Sequence, residues 1–394
     1  MNFPLTSLIY IIEVIYMKFK RFLSLLLILF FAVPVRVSAA DYNARSYILM
    51  EASTGLVMLE ENADEALPPA SVTKIMTLLL IMEAVAEGRI GWDDMVTTSE
   101  YAASMGGSQV FLEPGEQMSV SEMVKCVVVA SANDAAVALA EAVSGSEEAF
   151  VKRMNERAAE LGMKNTTFLN TNGLDDDADG HVTSARDIAI MSRELITKYP
   201  QILEYSSIWM DTIRGGAFGL TNTNRLIRFY NGANGLKTGS TSKAKFCISA
   251  TAERDGMQLI AVVMASPSRD DRNETAKKLL DYGFANYETA DLTLAEPIPD
   301  MRVLGGVCDT VPLTVGESSL VLEKGKSAKL TREIYLPEEI SAPIAVGDEV
   351  GRVDFLIDGK IISSVPITAA ENVEKIGYIE LFCRFIKKML MVEM

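Results

Sequence analysis

Apolar positions change their period several times along this chain, and each change marks an element. Ser46 to Met50 and Leu56 to Glu60 are short apolar runs joined by Ala52-Ser53-Thr54-Gly55, a turn-forming sequence, and so predict a β-hairpin. Leu67-Pro68-Pro69-Ala70 then breaks the chain before a strongly apolar stretch from Val72 to Ala86, closed by Glu87 and Gly88. This predicts a long buried helix with Ser71 and Lys74 in its first turn. From Ser119 to Gly162 the pattern predicts consecutive helices, opened by the capping-box spacing of Ser119-Val120-Ser121-Glu122, with Ser131 at the junction of the first two. After Gly235 the period shortens, so that Gly235 to Ser240, Phe246 to Thr251 and Leu259 to Ala265 read as strands, with Arg254-Asp255-Gly256 as a hairpin turn. A helix is expected from about Asn273 to Tyr287.

Strands, then helices, then strands and a helix predict an α/β (α+β) fold: a five-stranded antiparallel sheet built from both ends of the segment, an inserted helical lobe, and a cleft between them. This first folded unit is expected over residues 41–291. Around Ala295-Glu296-Pro297-Ile298-Pro299 the pattern turns to short alternating segments rich in Gly and Pro, which predict a small all-β domain over 297–370. Residues 371–394 close the chain with an amphipathic helix, Lys375 to Val392, on which Glu380, Arg384, Lys387 and Lys388 cluster on one narrow face. Charges recurring in mid-segment suit a helix lying in a membrane interface better than one spanning it. The competing reading is a helix docked on its own domain.

Composition sharpens the two ends. Lys18, Lys20 and Arg21 precede an apolar run from Phe22 to about Val35 and the small-residue site Val37-Ser38-Ala39, the layout of a secretory signal over residues 1–40. Met17 stands directly before the basic cluster, so the first sixteen residues are consistent with an upstream start. The net charge is −16, and since Met1 to Ala39 is basic the remainder carries about −19, which repels phosphate backbones and argues against a nucleic-acid partner. Four cysteines, Cys126, Cys247, Cys308 and Cys383, form no metal-site spacing, and Cys126 and Cys247 lie in apolar runs that predict buried thiols.

Three motifs carry chemistry: Ser71-Val72-Thr73-Lys74, Ser131-Ala132-Asn133 and Lys237-Thr238-Gly239. Residues three apart on a helix share a face, so Lys74 can reach the Ser71 hydroxyl and act as its base once burial, the helix end and a second cation, Lys237, favour the neutral amine. Ser240-Thr241-Ser242-Lys243 repeats the spacing, but on a strand positions three apart face opposite sides. Ser131 and Asn133, read alone, are turn or cap residues; beside the other motifs, Ser131 becomes a proton relay and Asn133 a group that positions Lys74 and binds a substrate amide. Lys237 and Thr238 suit a substrate carboxylate, and Gly239 leaves room for a substrate backbone.

On these residues the chain resembles the low-molecular-mass penicillin-binding proteins, specifically serine-type D-alanyl-D-alanine carboxypeptidases of the sporulation-associated and vegetative kind. The likeness runs from about Asp41 to the C-terminus and rests on Pro69-Ala70-Ser71-Val72-Thr73-Lys74-Ile75-Met76-Thr77, Ala130-Ser131-Ala132-Asn133-Asp134-Ala135-Ala136 and Gly235-Leu236-Lys237-Thr238-Gly239-Ser240-Thr241. It implies a β-lactamase/transpeptidase-like fold, and attack by Ser71 on the bond between two terminal D-alanines of a peptidoglycan stem peptide. The backbone N–H groups of Ser71 and Ser240 would form the oxyanion hole. It further implies no cofactor and no metal, β-lactams as inhibitors, and an exported enzyme at the outer face of the cytoplasmic membrane or in the cell-wall space. The chain departs from the family's common Asn-Pro-His-Gly-Leu, having Asn170-Thr171-Asn172-Gly173-Leu174 there, while Arg272 or Arg269 stands for the family's distal arginine.

Two rival chemistries fit less well. His181, the single histidine, has no Gly-x-Ser-x-Gly elbow to serve and reads as structural. Asp175-Asp176-Asp177-Ala178-Asp179-Gly180 imitates an EF-hand loop but has Arg186 at the twelfth position, so it reads as a solvated acidic loop. The remaining alternatives are a β-lactamase, disfavoured because no Glu-x-x-Leu-Asn lies between the second and third motifs, and a non-catalytic cell-wall or penicillin binder, disfavoured by the intact Ser71 and Lys74.

Overall fold

The computed structural model describes residues 42–174, 179–294, 297–316 and 319–389. The expected signal over 1–40 and the start of the acidic loop, 175–178, lie outside the described residues. Ser46–Glu51 and Val57–Glu61 form the first hairpin, and Ala233–Thr241, Lys245–Arg254 and Met257–Ser266 form the three later strands. They join in one antiparallel five-stranded sheet in which Ser46–Glu51 pairs with Met257–Ser266, so both ends of this part of the chain meet in mid-sheet. Ala233–Thr241, which carries Lys237-Thr238-Gly239, is an edge strand.

Side chains alternate across a sheet, and here both faces are covered. Ile48, Met50, Ile260, Val262 and Met264 enter the main core together with the helical lobe. On the alternate residues, Gly283 of the helix Arg269–Asn286 comes so close to Leu259 and Leu49 that an added Cβ would sit 2.5 and 3.1 Å from their methyls. The lobe centres on Lys74–Ala86, whose residues from Lys74 to Ala84 are all buried. A helix apolar on every side belongs inside a domain, and Ala185–Lys198, Asn133–Ser144 and Glu147–Glu160 pack around it. Cys126 and Cys247 are buried, as their apolar runs predict.

Three boundaries differ from the expectation. The Ser71 segment enters as a 3-10 turn, Ala70–Thr73, before the α-helix starts at Lys74. The last core helix begins at Arg269 rather than Asn273, because the Ser268 side chain accepts from the Asp271 N–H and caps it there. The final helix is Tyr378–Met389; Lys375 and Ile376 are spent earlier on extended backbone, bridging Gly306 and Gly305. Elements that apolar period does not announce also form, among them the hairpin Met210–Ile213 with Phe218–Thr221.

Beyond the helix Arg269–Asn286 the chain is β-structured, as the short alternating segments imply. Glu349–Ile357 and Lys360–Ala369 form the centre of a four-stranded sheet, and Met301–Leu304 the centre of a three-stranded one. Two small apolar clusters, one around Val311 and Ile344 and one around Phe355 and Ile367, hold this part together.

Candidate active site

Ser71 sits in the 3-10 turn, where residues three apart eclipse more closely than on an α-helix. Lys74 Nζ accordingly lies 3.0 Å from Ser71 Oγ. The same nitrogen lies 2.6 Å from Asn133 Oδ1 and 2.7 Å from the Asn172 carbonyl. Those two oxygens can only accept, so they take two N–H bonds, and a neutral amine then points its lone pair at the Ser71 hydroxyl. Burial pushes the Lys74 amine well below its ordinary value, and the neighbouring Lys237 charge adds to the effect.

The turn is held from outside. Ala70 adopts φ +49°, and the Thr73 hydroxyl donates to the Ala70 carbonyl. Gly173, at φ +85°, lies against that same carbonyl so closely that an added Cβ would fall 1.9 Å from its oxygen. His181 takes the structural part expected of it. Its Nδ1 accepts from the Leu169 N–H, which leaves Nε2 as the protonated nitrogen facing Thr73 Oγ1 at 2.8 Å.

Asn133 and Ser131 come from the helix junction. Val120–Lys125 widens into a π-helical turn, Cys126–Ala130, which ends at Ser131 in the left-handed region at φ +62°. Ser131 Oγ is buried with no hydrogen-bond partner among the described residues, and Ser131 lines the same cavity as Ser71. Asn133 Nδ2 donates to the Gly106 carbonyl at 2.7 Å, so one amide N–H serves the protein and its oxygen serves Lys74. Asp134 ties down the facing loop by accepting from the N–H groups of Val110 and Leu112.

The edge strand closes the site. Lys237 is buried, donates to the Thr238 carbonyl at 3.0 Å, and is pushed down to about 7 by burial and by Arg272. The Thr238 hydroxyl donates to Thr223 Oγ1. Gly239 has a packing role that its sequence context did not reveal: a Cβ there would meet Pro69 O at 2.7 Å and Ser71 N at 2.9 Å, so the strand lies directly against the nucleophile turn. Ser240 lines the cavity beside it, whereas Lys243 of the rival spacing pairs with Asp179 at 3.1 Å. Both candidate arginines, Arg269 and Arg272, line the cavity from the first turn of their helix.

Residues that sequence reasoning missed are Asn172, Gly173, Arg225, Trp209 and Phe229. Only the Asn170–Leu174 segment carried a signal, through its departure from the common family form.

Residues 33–268 match the peptidase S11 family, described as D-alanyl-D-alanine carboxypeptidase, and residues 287–375 match the C-terminal domain of penicillin-binding protein 5. The chain is similar to D-alanyl-D-alanine carboxypeptidase DacF of Bacillus subtilis (strain 168), 45% identical over 350 residues covering 87% of this chain and 89% of that protein. It is also similar to the crystal structure of penicillin-binding protein 5 from Haemophilus influenzae, at a TM-score of 0.72 and 34% identity over 86% of this chain and 100% of that one. The ampicillin-bound form of penicillin-binding protein D2 from Listeria monocytogenes aligns at a TM-score of 0.57 and 32% identity, over 62% of this chain and 99% of that chain.

Proposed function

The chain belongs to the D-alanyl-D-alanine carboxypeptidase family of serine peptidases, and from that premise we propose the residues that perform its reaction. The protein is a penicillin-binding, serine-type D-Ala-D-Ala carboxypeptidase. Ser71 attacks the carbonyl of the penultimate D-alanine in a peptidoglycan stem peptide while Lys74 takes its proton. The oxyanion forms against the N–H groups of Ser71 and Ser240, which the close fit of Gly239 on the turn brings side by side. The C–N bond then breaks, and the proton passes by way of Ser131 to the departing D-alanine amine. Water hydrolyses the ester and frees Ser71. Lys237, Thr238 and Arg272 receive the substrate's terminal carboxylate, and Asn133 holds Lys74 in line.

The observation that carries this reading is the Lys74 amine, buried and bonded to two obligate acceptors with Ser71 as its third neighbour. A β-lactamase reading lacks support, since no Asp or Glu is among the described residues lining the cavity to activate a deacylating water. Fluorescent penicillin is expected to label the wild type stably, and D-alanine to be released from diacetyl-L-Lys-D-Ala-D-Ala. Ser71→Ala should lose both by about a thousandfold or more. Rapid turnover of the penicillin would instead indicate a β-lactamase, and labelling without D-alanine release a binder.

Peptidoglycan lies outside the cytoplasm, so the enzyme acts in the cell-wall space, exported by its signal over 1–40. We place it at the outer face of the cytoplasmic membrane, held by the final helix. Arg384 on that helix donates to the Gly306 and Val307 carbonyls and pairs with Asp309 at 3.3 Å, so a charged residue of the helix meets the β-structured part. Tyr378, Ile379, Phe382, Phe385 and Met389 are each more than half exposed on the other side. A helix docked by its apolar face would show the reverse. Among the described residues no helix is long and apolar enough to cross a membrane.

A further inference from the structure

The cavity that holds Ser71 ends in more positive charge than the reaction described above uses. Its described lining includes Arg225, Arg269 and Arg272 and no carboxylate. Arg272 is buried, donates to Asn273 Oδ1, and is pushed down to about 10 by burial and then by the Arg269 and Arg225 charges beside it. Arg225 and Arg269 are exposed on the wall, and their side chains make no hydrogen bond or ion pair among the described residues. Asp270 follows Arg269 in the chain, yet it forms no ion pair with any of the three.

Several arginines elsewhere in the chain meet carboxylates, as at Arg157, Arg186 and Arg214, while Arg193 donates to the Ala52 and Ser53 carbonyls and Arg228 lies over aromatic rings. The Asp270 charge offsets part of the positive field at Arg272, yet among the described residues no carboxylate lines the cavity beside Arg225 and Arg269, and three guanidinium groups on one wall favour an outside anion. The terminal carboxylate of the substrate accounts for Lys237, Thr238 and Arg272. Arg225 and Arg269 remain unanswered.

Beside them stands an apolar wall. Trp209 and Phe229 also line the cavity, edge to face at 6.2 Å, and Arg228 braces both rings at 5.7 and 5.6 Å from their centroids. The cavity volume is about 580 Å³, a size that takes a ligand well beyond one alanine.

We propose that this end of the cavity is a subsite for the side chain of the departing residue, and that it selects D-residues whose side chain ends in a second carboxylate. Arg225 and Arg269 hold that carboxylate, while Trp209 and Phe229 flank the methylene stem leading to it. The bonds broken and formed are those of the carboxypeptidase reaction, on which this inference rests; only the residue released differs.

The test uses the full chain and three substrates, diacetyl-L-Lys-D-Ala-D-Xaa with D-Ala, D-Glu or its neutral isostere D-Gln at the end. The expected result is a kcat/KM for D-Glu about tenfold above that for D-Gln, the scale of one charge-assisted hydrogen bond. That ratio should fall toward one in Arg225→Gln and in Arg269→Gln. Because each ratio is taken within one variant, a general loss of activity cancels out. Equal rates on D-Glu and D-Gln with D-Ala still cleaved would overturn the subsite and leave the enzyme's reaction standing, as would a ratio that persists in both variants. Failure to cleave even the D-Ala substrate would sink the catalytic reading itself, and the subsite with it.

Discussion

Lys74 and Lys237 are two buried amines in one site, and their coupling sets how the enzyme should respond to pH. Protonation of either raises the cost of protonating the other. In the proposed reaction Lys74 must be neutral to act as a base, so activity should be lost as pH falls through its depressed value. Lys237 must be charged to hold a carboxylate, so in the free enzyme kcat/KM should fall on the alkaline side as pH rises through about 7. Arg272 contributes to that depression after burial. Arg272→Gln is therefore expected to move the alkaline limb of kcat/KM upward by about one pH unit, whatever it does to the height of the profile. A limb that stays put, or moves down, would show that Lys237 is not the group titrating. At this scale the sequence was legible where partners are near in the chain. Ser71 and Lys74 share a turn, whereas the Asn172 carbonyl that completes the Lys74 environment lies 98 residues on and carries no side-chain signal of its own.

Among the elements, the nucleophile turn shows most clearly how local and distant constraints combine. Pattern places a helix start near Ser71, and that start is where the reactive pair must be. The 3-10 geometry depends on Gly173, which alone among residue types fits against the Ala70 carbonyl at positive φ. Gly173→Ala should force the turn aside, lowering the rate of penicillin acylation by about a hundredfold and the Tm by several degrees, roughly 2 to 4 °C per kcal/mol lost. Gly145→Ala serves as the control, since Gly145 also has positive φ, at +80°, but nothing within 4 Å of an added Cβ. It should cost stability without touching acylation. Equal acylation rates in the two variants would remove Gly173 from the account of the site. The π-helical widening before Ser131 was likewise invisible in the apolar period, because Cys126 to Ala130 are apolar in either geometry.

Across the whole molecule, the main core and the small β clusters lie in separate stretches of sequence, and the final helix continues from the β-structured part. Truncation after Lys375 removes an exposed apolar face and none of the residues lining the Ser71 cavity. The proposed membrane role predicts that the truncated enzyme loses binding to anionic phospholipid vesicles by about tenfold or more while keeping its kcat/KM on a soluble tripeptide. Undiminished vesicle binding would send the search for a membrane contact elsewhere. By itself the sequence determined the order of elements and the five-stranded antiparallel sheet, and it singled out Ser71, Lys74, Ser131 and Lys237 as candidates, because apolar period and short motifs are properties of neighbouring residues. Only the tertiary structure decided the acceptors that hold the Lys74 amine, the seating of Gly239 and Gly173 on the Ser71 turn, and the gathering of Arg225, Arg269 and Arg272 on one cavity wall. Burial and electrostatic environment are summed over residues that the fold, rather than the chain, brings together.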